Sequence, residues 1–402
     1  MMKVINYFLM MAIFSTMVHA DYSEMDEWEI IEKPKVRDEN DFQELAPKQY
    51  NFFLNRWMQE LGPVIEDKKL RELFIPGTHD TATSSISSES DVNPKCSIGQ
   101  KLAPLRIFGV HGFITRWSKA QDLNITEQLD VGVRYLDLRL AYHPKHKTFW
   151  TEHCLFSQPF EEVLLEIKGF LKKNRKEILI IDVQNIDVGG GRIEQIQDMV
   201  HETFSQDDAK YPINFLIKED LKKPIKKLWE ENKQIVLIVD SDHTFKQGDK
   251  PDPHFLDRKT YLESKWHDAG TFKEFYEKSS EYLRGYFDPT WHKPEEFQKL
   301  SEKQYESIRP LLRNTFEAGN NKLFVMQAQL TPSTQVLLDY FKNPFKNWGS
   351  LEEIARDFNK VAVEKFDEWK KLTKGAIIIM DFMDANYAKL IIDLNFSNTQ
   401  RK

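Results

Sequence analysis

At 402 residues the chain can bury a large core and fits either one barrel-sized domain or two ordinary ones. Aromatic residues at 12%, with only 16 Gly and 17 Pro, exclude a collagen-like or low-complexity chain and point to a packed globular domain. The net charge of -7, with both signs mixed and no long basic run, argues against a nucleic-acid footprint and against strong attraction to an anionic lipid surface.

Lys3 and the apolar run Tyr7 to Val18, ending in Val18-His19-Ala20, read as a secretory signal peptide over 1–20, cleaved after Ala20. The run is shorter than the ~20 residues a membrane span needs. A secreted protein is expected, and any membrane contact should be peripheral, local and apolar. Residues 21–48 are charged and unpatterned, an extended arm, and one domain is expected over 49–398. It opens with a helix over 49–61, where Phe52, Phe53, Trp57 and Leu61 recur at helical spacing. Cys96 and Cys154 are the only cysteines, and two thiols in an oxidising compartment can form one disulfide.

In the stretch Leu70 to Thr83 an alternating apolar run (Leu70, Leu73, Phe74, Ile75) stops at Pro76-Gly77, and a strand is expected to deliver the triplet Thr78, His79 and Asp80 to its carboxyl end. A polar loop over 81–100 follows, then an apolar insert with Leu105, Ile107, Phe108, Val110, Phe113, Ile114 and Trp117. That insert reads equally as a core helix pair or as an apolar rim suited to a lipid interface. Asn124 with Glu127 three residues on reads as a capping box, and Asn124-Ile125-Thr126 is also a glycosylation sequon. The cap is the preferred reading there. Asn395-Phe396-Ser397 is a second sequon, expected to be exposed because it lies near a chain end.

Strand-like runs follow over 132–140, 148–156, 177–185, 234–241, 322–330 and 375–383, mostly continuous and apolar, as strands covered on both faces should be. Amphipathic helices lie between them, carrying Val163, Ile167 and Leu171, then Ile196 and Val200, then Ile354, Phe358 and Val361. The alternation predicts an α/β fold, an irregular (β/α)8 TIM-type barrel, closed or imperfectly closed. The Gly-rich loop 187–191 lacks the spacing of a phosphate-cradling loop, and no nucleotide or other cofactor is expected.

In such a barrel the site lies at the carboxyl ends of the strands. The polar residues there are His79, Asp80, Asp137, Arg139, Glu152, His153, Asp182, Gln184, Asp240, Asp242, Gln327, Gln329, Asp381 and Asp384. Asp182 also reads as a satisfied polar strand residue and Asp384 as a helix cap. Two imidazoles can act as general base and general acid, and an arginine between them is a bidentate partner for a phosphate, an arrangement suited to phosphodiester cleavage by an internal hydroxyl.

These residues resemble the catalytic X domain of phosphatidylinositol-specific phospholipases C, and most of all the eukaryotic X-domain-only proteins. The matching stretches are LRELFIPGTHDTA, WSKAQDLNITEQLDVGVRYLDLRLAYH, FWTEHCLF, FEEVLLEIKGFLKKNRKEILIIDVQN, LWEENKQIVLIV and GAIIIMDFMD, in the same order. The resemblance implies a PLC-like phosphodiesterase fold. His79 would be the base for the inositol 2-hydroxyl, and His153, oriented by Asp80, the acid for the departing diacylglycerol oxygen. Arg139 would stabilise the phosphoryl oxygens, Asp381 would hold the tautomer of His79, and Asp137 would help position Arg139 and the nucleophile. Gln184, Asp182 and Gln327 are the substrate-binding candidates.

Three departures stand out. Calcium-dependent members have an Asn after the first His and acids at the positions of Asp137, Arg139 and Gln184; three of those four differ here, so no metal is expected. Cys154 stands where the pattern has Gly, and Gln184 and Val239 stand where bacterial members hold inositol with basic residues. A Cys96–Cys154 bridge would tie the loop leaving the first strand over the site. The implied substrate is an inositol phospholipid or a glycosylated inositol-lipid anchor. Two alternatives are a catalytically weak or inactive secreted lipid-binding protein of the same fold, and a metal-dependent glycerophosphodiesterase or sphingomyelinase-like barrel enzyme, which Arg139 opposes.

Overall fold

The structure is a computed structural model, and it describes residues 52–96, 110–205, 212–240, 245–265, 278, 322–331 and 349–396. The expected signal peptide (1–20), the arm (21–48), most of the insert's first half and Asp242 lie outside the described residues. The strands are β1 Phe74–Thr78, β2 Tyr135–His143, β3 Thr148–His153, β4 Leu155–Pro159, β5 Leu179–Asp187, β6 Asn214–Phe215, β7 Lys233–Val239, β8 Lys246–Gln247, β9 Lys250–Pro251, β10 Phe255–Asp257, β11 Leu262–Ser264, β12 Leu323–Gln327 and β13 Ala376–Met380. The helices that matter below are α1 Val110–Ser118, α2 Ile125–Asp130, α3 Phe160–Lys173, α4 Glu194–Ser205, α5 Ile225–Glu230, α6 Leu351–Val363, α7 Phe366–Leu372 and α8 Ala385–Asp393.

Eight strands run parallel in the order β10-β7-β5-β2-β1-β13-β12-β11. Among the described residues β10 and β11 are not paired with each other, and the single turn Arg258–Tyr261 passes from one edge to the other. Among the described residues the barrel is therefore imperfectly closed at this seam.

Side chains alternate along a strand, so each parallel strand splits its residues between lumen and outer layer. Leu136, Leu138, Leu179, Ile181, Val183, Leu237, Val239, Met326 and Ile378 share an outer core with Val163, Ile167 and Leu171 of α3. Tyr135, Ile180, Val236, Ile238, Val325, Ile377 and Ile379 form an inner core closed at the amino end by Trp57, Met58, Leu61 and Ile65. Continuing the inner rows by two residues leads to Asp137, Asp182, Gln327 and Asp381, so the polar layer sits directly above the apolar one.

A buried ion pair anchors the amino-terminal plug. Arg134 Nε donates to Glu177 at 2.8 Å, and its Nη atoms donate to the carbonyls of Leu129, Val133, Leu54 and Asn55. Glu177 in turn accepts from the backbone of Met58 and Gln59. Every donor of a guanidinium is thus used, the condition under which a buried charge is tolerated.

Two sequence expectations are corrected, the barrel strand over 148–156 and the helix over 49–61. β1 pairs with β13 through Thr78, past Pro76-Gly77; Gly77 is required because a Cβ there would lie 2.7 Å from Ile379 and 2.9 Å from Tyr135. The run 148–156 is not a barrel strand: β3 folds back antiparallel on β2 and then pairs with β4, because β2 continues past the barrel rim. The helix over 49–61 is, in its described part, a sequence of short turns, Leu54–Arg56, Trp57–Glu60 and then Gly62–Ile65. In the insert, Ile114 is buried and Trp117 packs on the outer core, so this described part is core rather than rim.

Candidate active site

β1 and β13 end in register at Thr78 and Met380, which sets the next residue of each strand side by side. His79 Nδ1 and Asp381 Oδ1 are accordingly 2.8 Å apart. Asp80 and Phe382, the residues after these, both have positive φ (43° and 48°), so each chain turns sharply out of its strand. Gln121 holds the two strand ends together: its Nε2 donates to the carbonyls of His79 and Met380, both at 2.9 Å, and its Oε1 accepts from Met383 N. Thr83 Oγ1 donates to Asp80 O and accepts from Ala120 N and Gln121 N. Sequence reasoning passed over Gln121, inside a quoted motif, and Thr83, one residue past another; neither carries a titratable group.

Asp80 is the hub. Its Oδ2 lies 3.4 Å from His79 Nε2 and 3.4 Å from His153 Nε2, and its Oδ1 is 2.8 Å from Arg139 Nε, an ion pair whose N–H is not aligned as a hydrogen bond. Arg139 Nη2 is 3.2 Å from His79 Nε2. His153 reaches the site from the end of β3, and its Nδ1 is 2.8 Å from Ser118 O. A carbonyl only accepts, so Nδ1 carries a proton and Nε2 is the atom turned to Asp80 and the lumen.

Burial acts first on each of these groups and the neighbouring charges then decide. For His79, burial opposes the charged form, but Asp80 and Asp381 outweigh it and raise the imidazole to about 9, against a smaller opposing effect of Arg139. For Asp80, burial is overcome by Arg139, His153 and His79, which hold it down at about 2. For Asp137, burial wins with help from Asp80 and Asp182, and the carboxyl is pushed up to about 6 despite Arg139 and His79. Arg139 is raised, its burial outweighed by Asp80 and Asp137.

The remaining candidates divide. Asp137 is fully buried, and neither of its oxygens has a hydrogen-bond partner among the described residues. Asp80, not Asp137, ion-pairs with Arg139, which corrects the expected positioning role; Asp137 acts on the guanidinium only through its field. Gln184 is half-buried at a bulge where β5 has one more residue than β2, between the partners of Leu138 and Arg139. Asp182 is fully buried and taken up by the Tyr135 hydroxyl at 2.6 Å and by Arg258 Nε at 3.1 Å, so it is not open to a ligand. Gln327 is likewise engaged, donating to Ser264 Oγ and accepting from Gln329. Val239 belongs to the outer core and does not line the lumen. Arg258 is a further residue that sequence reasoning missed: it follows a three-residue strand too short to show periodicity.

Asp384 caps α8, and Asn124 caps α2 in a capping box while remaining exposed. The second sequon is corrected. Asn395 is 4% exposed, its Nδ2 donating to Phe74 O and Ile392 O and its Oδ1 accepting from Phe74 N, so it is a structural amide and not a glycosylation site.

Cys96 and Cys154 are joined by a disulfide. Together with the hydrogen bonds Asn93 N to Cys154 O and Phe156 N to Asp91 O, it straps the loop after β1 onto the hairpin that carries His153. Cys154 has φ of 63°, the left-handed region in which Gly is at ease, so a cysteine is held there against its preference by these links. Donor atoms of His79, Asp80 and Asp137 also lie within 4.8 Å of one another, with Arg139 on the first two.

Residues 108–270 match the PI-PLC X family (PI-PLC X 1), a span that contains Asp137, Arg139 and His153 but not His79 or Asp381. The chain is 34% identical over 135 residues to PI-PLC X domain-containing protein 1 of Mus musculus, covering 33% of this chain and 39% of that protein. It is 40% identical over 126 residues to a PI-PLC X domain-containing protein of Dictyostelium discoideum, covering 31% of this chain and 20% of that protein. The chain thus spans well under two thirds of the length of these relatives. Among solved structures it is similar to the phosphatidylinositol-specific phospholipase C of Listeria monocytogenes, with a TM-score of 0.51 and 16% identity over 86% of this chain and 100% of that one. That likeness is one of fold, a PLC-like phosphodiesterase fold with a mostly parallel sheet surrounded by helices.

Proposed function

We propose that this PI-PLC X-domain family member, related to the eukaryotic X-domain proteins, is a secreted phosphodiesterase that cleaves an inositol phospholipid or a glycosylated inositol-lipid anchor without a metal ion. One observation carries the reading: a single carboxylate, Asp80, within 3.4 Å of two imidazoles and ion-paired to a guanidinium. A base, an acid and a fixed positive charge around one point are the groups an internal phosphoryl transfer needs.

In this reading Nε2 of His79 takes the proton of the inositol 2-hydroxyl, whose oxygen attacks phosphorus. The bond from phosphorus to the diacylglycerol oxygen breaks, and that oxygen takes the proton of His153 Nε2. The products are inositol 1,2-cyclic phosphate and diacylglycerol. Asp381 accepts a hydrogen bond from His79 Nδ1–H and so fixes the tautomer that leaves Nε2 as the base, and the Arg139 Nη2 contact at 3.2 Å is satisfied only when Nε2 is unprotonated. The rise of His79 to about 9 means that this neutral form is scarce at neutral pH and grows with pH, while His153 must keep its proton to act as the acid. Asp137, whose oxygens have no hydrogen-bond partner among the described residues, accepts from a substrate hydroxyl in this reading.

The guanidinium supplies the charge that other phosphodiesterases take from a cation, and at 2.8 Å from Asp80 it opposes a divalent ion bound to the same carboxylate. Secretion rests on the amino-terminal segment, and the Cys96–Cys154 bridge suits an oxidising compartment. The test is incubation of the mature protein with phosphatidylinositol vesicles and with a lipid-anchored protein. Soluble inositol 1,2-cyclic phosphate or released protein is expected. Binding to the vesicles without either product would favour the lipid-binding alternative.

A further inference from the structure

We infer that His201, Asp252 and His254 form a zinc-binding site on the outside of the barrel, joining α4 to the segment that leads into β10. The cluster is independent of the catalytic reading, since none of its residues belongs to the lumen. Asp252 has no exposed side-chain surface, yet two imidazoles converge on it from different elements. His201 Nε2 is 2.7 Å from Asp252 Oδ2, and His254 Nδ1 is 3.1 Å from Oδ1. The three donor atoms lie within 4.8 Å of one another.

The details fit a metal site better than a closed hydrogen-bonded triad. His254 Nδ1 is a buried atom 3.1 Å from Asp252 Oδ1, with no hydrogen-bond partner of aligned geometry among the described residues. His201 and Gln197 are one turn apart on α4 and face the same carboxylate. Gln197 Nε2 donates to Asp252 Oδ2 at 2.9 Å and to Lys246 O at 2.7 Å, the supporting contact a ligating carboxylate commonly receives. The backbone of His254 donates to Asp252 Oδ1, fixing the turn that carries both.

The donor set selects the ion. Two imidazoles and one carboxylate suit zinc, which takes nitrogen and oxygen at about 2.0–2.2 Å and keeps a fourth position for water in sites with three protein ligands. Calcium and magnesium prefer all-oxygen shells. The side chains of His201 and His254 are 37% and 36% exposed, which leaves that fourth position facing solvent and lets the rings close on the ion. Three residues after His254, β10 ends at Asp257, and Arg258 follows with its guanidinium on Asp182, so zinc here would hold the seam of the barrel from outside.

The full-length protein, treated with chelator and dialysed, is titrated with zinc chloride and separately with calcium chloride, reading heat and melting temperature. One zinc equivalent with micromolar or tighter affinity and a rise of several degrees in Tm is expected, with no response to calcium. His201→Gln, on a half-exposed side chain that should not endanger the fold, and His254→Gln should each weaken zinc binding at least tenfold. His79→Gln should leave it intact, which separates this site from the lumen cluster. No zinc-dependent change in the wild type, or the same change in His201→Gln, would overturn the inference and leave a hydrogen-bonded triad only.

Discussion

Asp381→Asn isolates the part that one charge plays in setting the base. The structure places its Oδ1 2.8 Å from His79 Nδ1, and the raised value of about 9, against 6.5 for an unperturbed histidine, arises from Asp80 and Asp381 acting against burial. A displacement of that size is worth roughly 3 kcal/mol in favour of the imidazolium. Asn keeps an acceptor for Nδ1 but removes the charge, which should lower the value by on the order of one unit. At pH 7 a base titrating near 9 is neutral in about 1% of molecules, and one titrating near 8 in about 10%. The variant loses orientation and transition-state charge, but it regains part of that loss at neutral pH through a larger neutral fraction. The deficit relative to wild type should therefore be smallest near pH 7 and grow as pH rises through 9. The assay is kcat/KM for phosphatidylinositol cleavage from pH 6 to 10, for both proteins on the same vesicles. A deficit independent of pH would refute the reasoning about His79.

Four further outcomes follow from the same geometry. His79→Ala and His153→Ala should each lose roughly 10²–10⁴ in turnover with an unchanged circular dichroism spectrum, and a near-normal rate in either removes it from the mechanism. Arg139→Ala should abolish most activity and Arg139→Lys restore only part, because an ammonium lacks the planar fork; full rescue by Lys would show that charge alone suffices. The disulfide closes a loop across a sequence separation of 58, so in the chain-entropy account reduction should cost about 4 kcal/mol, read as a lower urea midpoint, while two free thiols on non-reducing peptide mapping would remove the strap. Arg134→Met leaves Glu177 charged and buried, and should cost about 3–5 kcal/mol by urea denaturation; a loss under ~1 kcal/mol would mean the amino-terminal plug does not depend on the pair.

Alternation carried much of the design into view. Ile75, Gly77 and His79, or Tyr135, Asp137 and Arg139, fall on one face of a strand, so apolar runs ending in polar residues reveal both the barrel and its mouth. His79, Asp80, Asp137, Arg139 and Asp381 stand out for that reason. His153 stood out as a residue but not by its route, because the 148–156 run is as apolar as a barrel strand although it is a hairpin returning along β2. Arg258 stayed hidden because β10 and β11 are three residues each, below the length at which periodicity speaks. Asn395 misled because a sequon is a local pattern, whereas its amide is consumed by Phe74, 321 positions away in sequence. The cluster around Asp252 joins α4 to a loop some fifty positions on, a proximity that only the folded chain creates.

The central claim is that a guanidinium and two imidazoles cleave the phosphodiester without a cation. It is tested most directly by incubating the mature protein with phosphatidylinositol vesicles in excess EDTA, at a temperature well below the melting point of the chelated protein, and following inositol 1,2-cyclic phosphate by phosphorus NMR. Cyclic product should form at the same rate with and without chelator and be lost in His79→Ala. Abolition by chelator, with recovery on adding calcium, would contradict it.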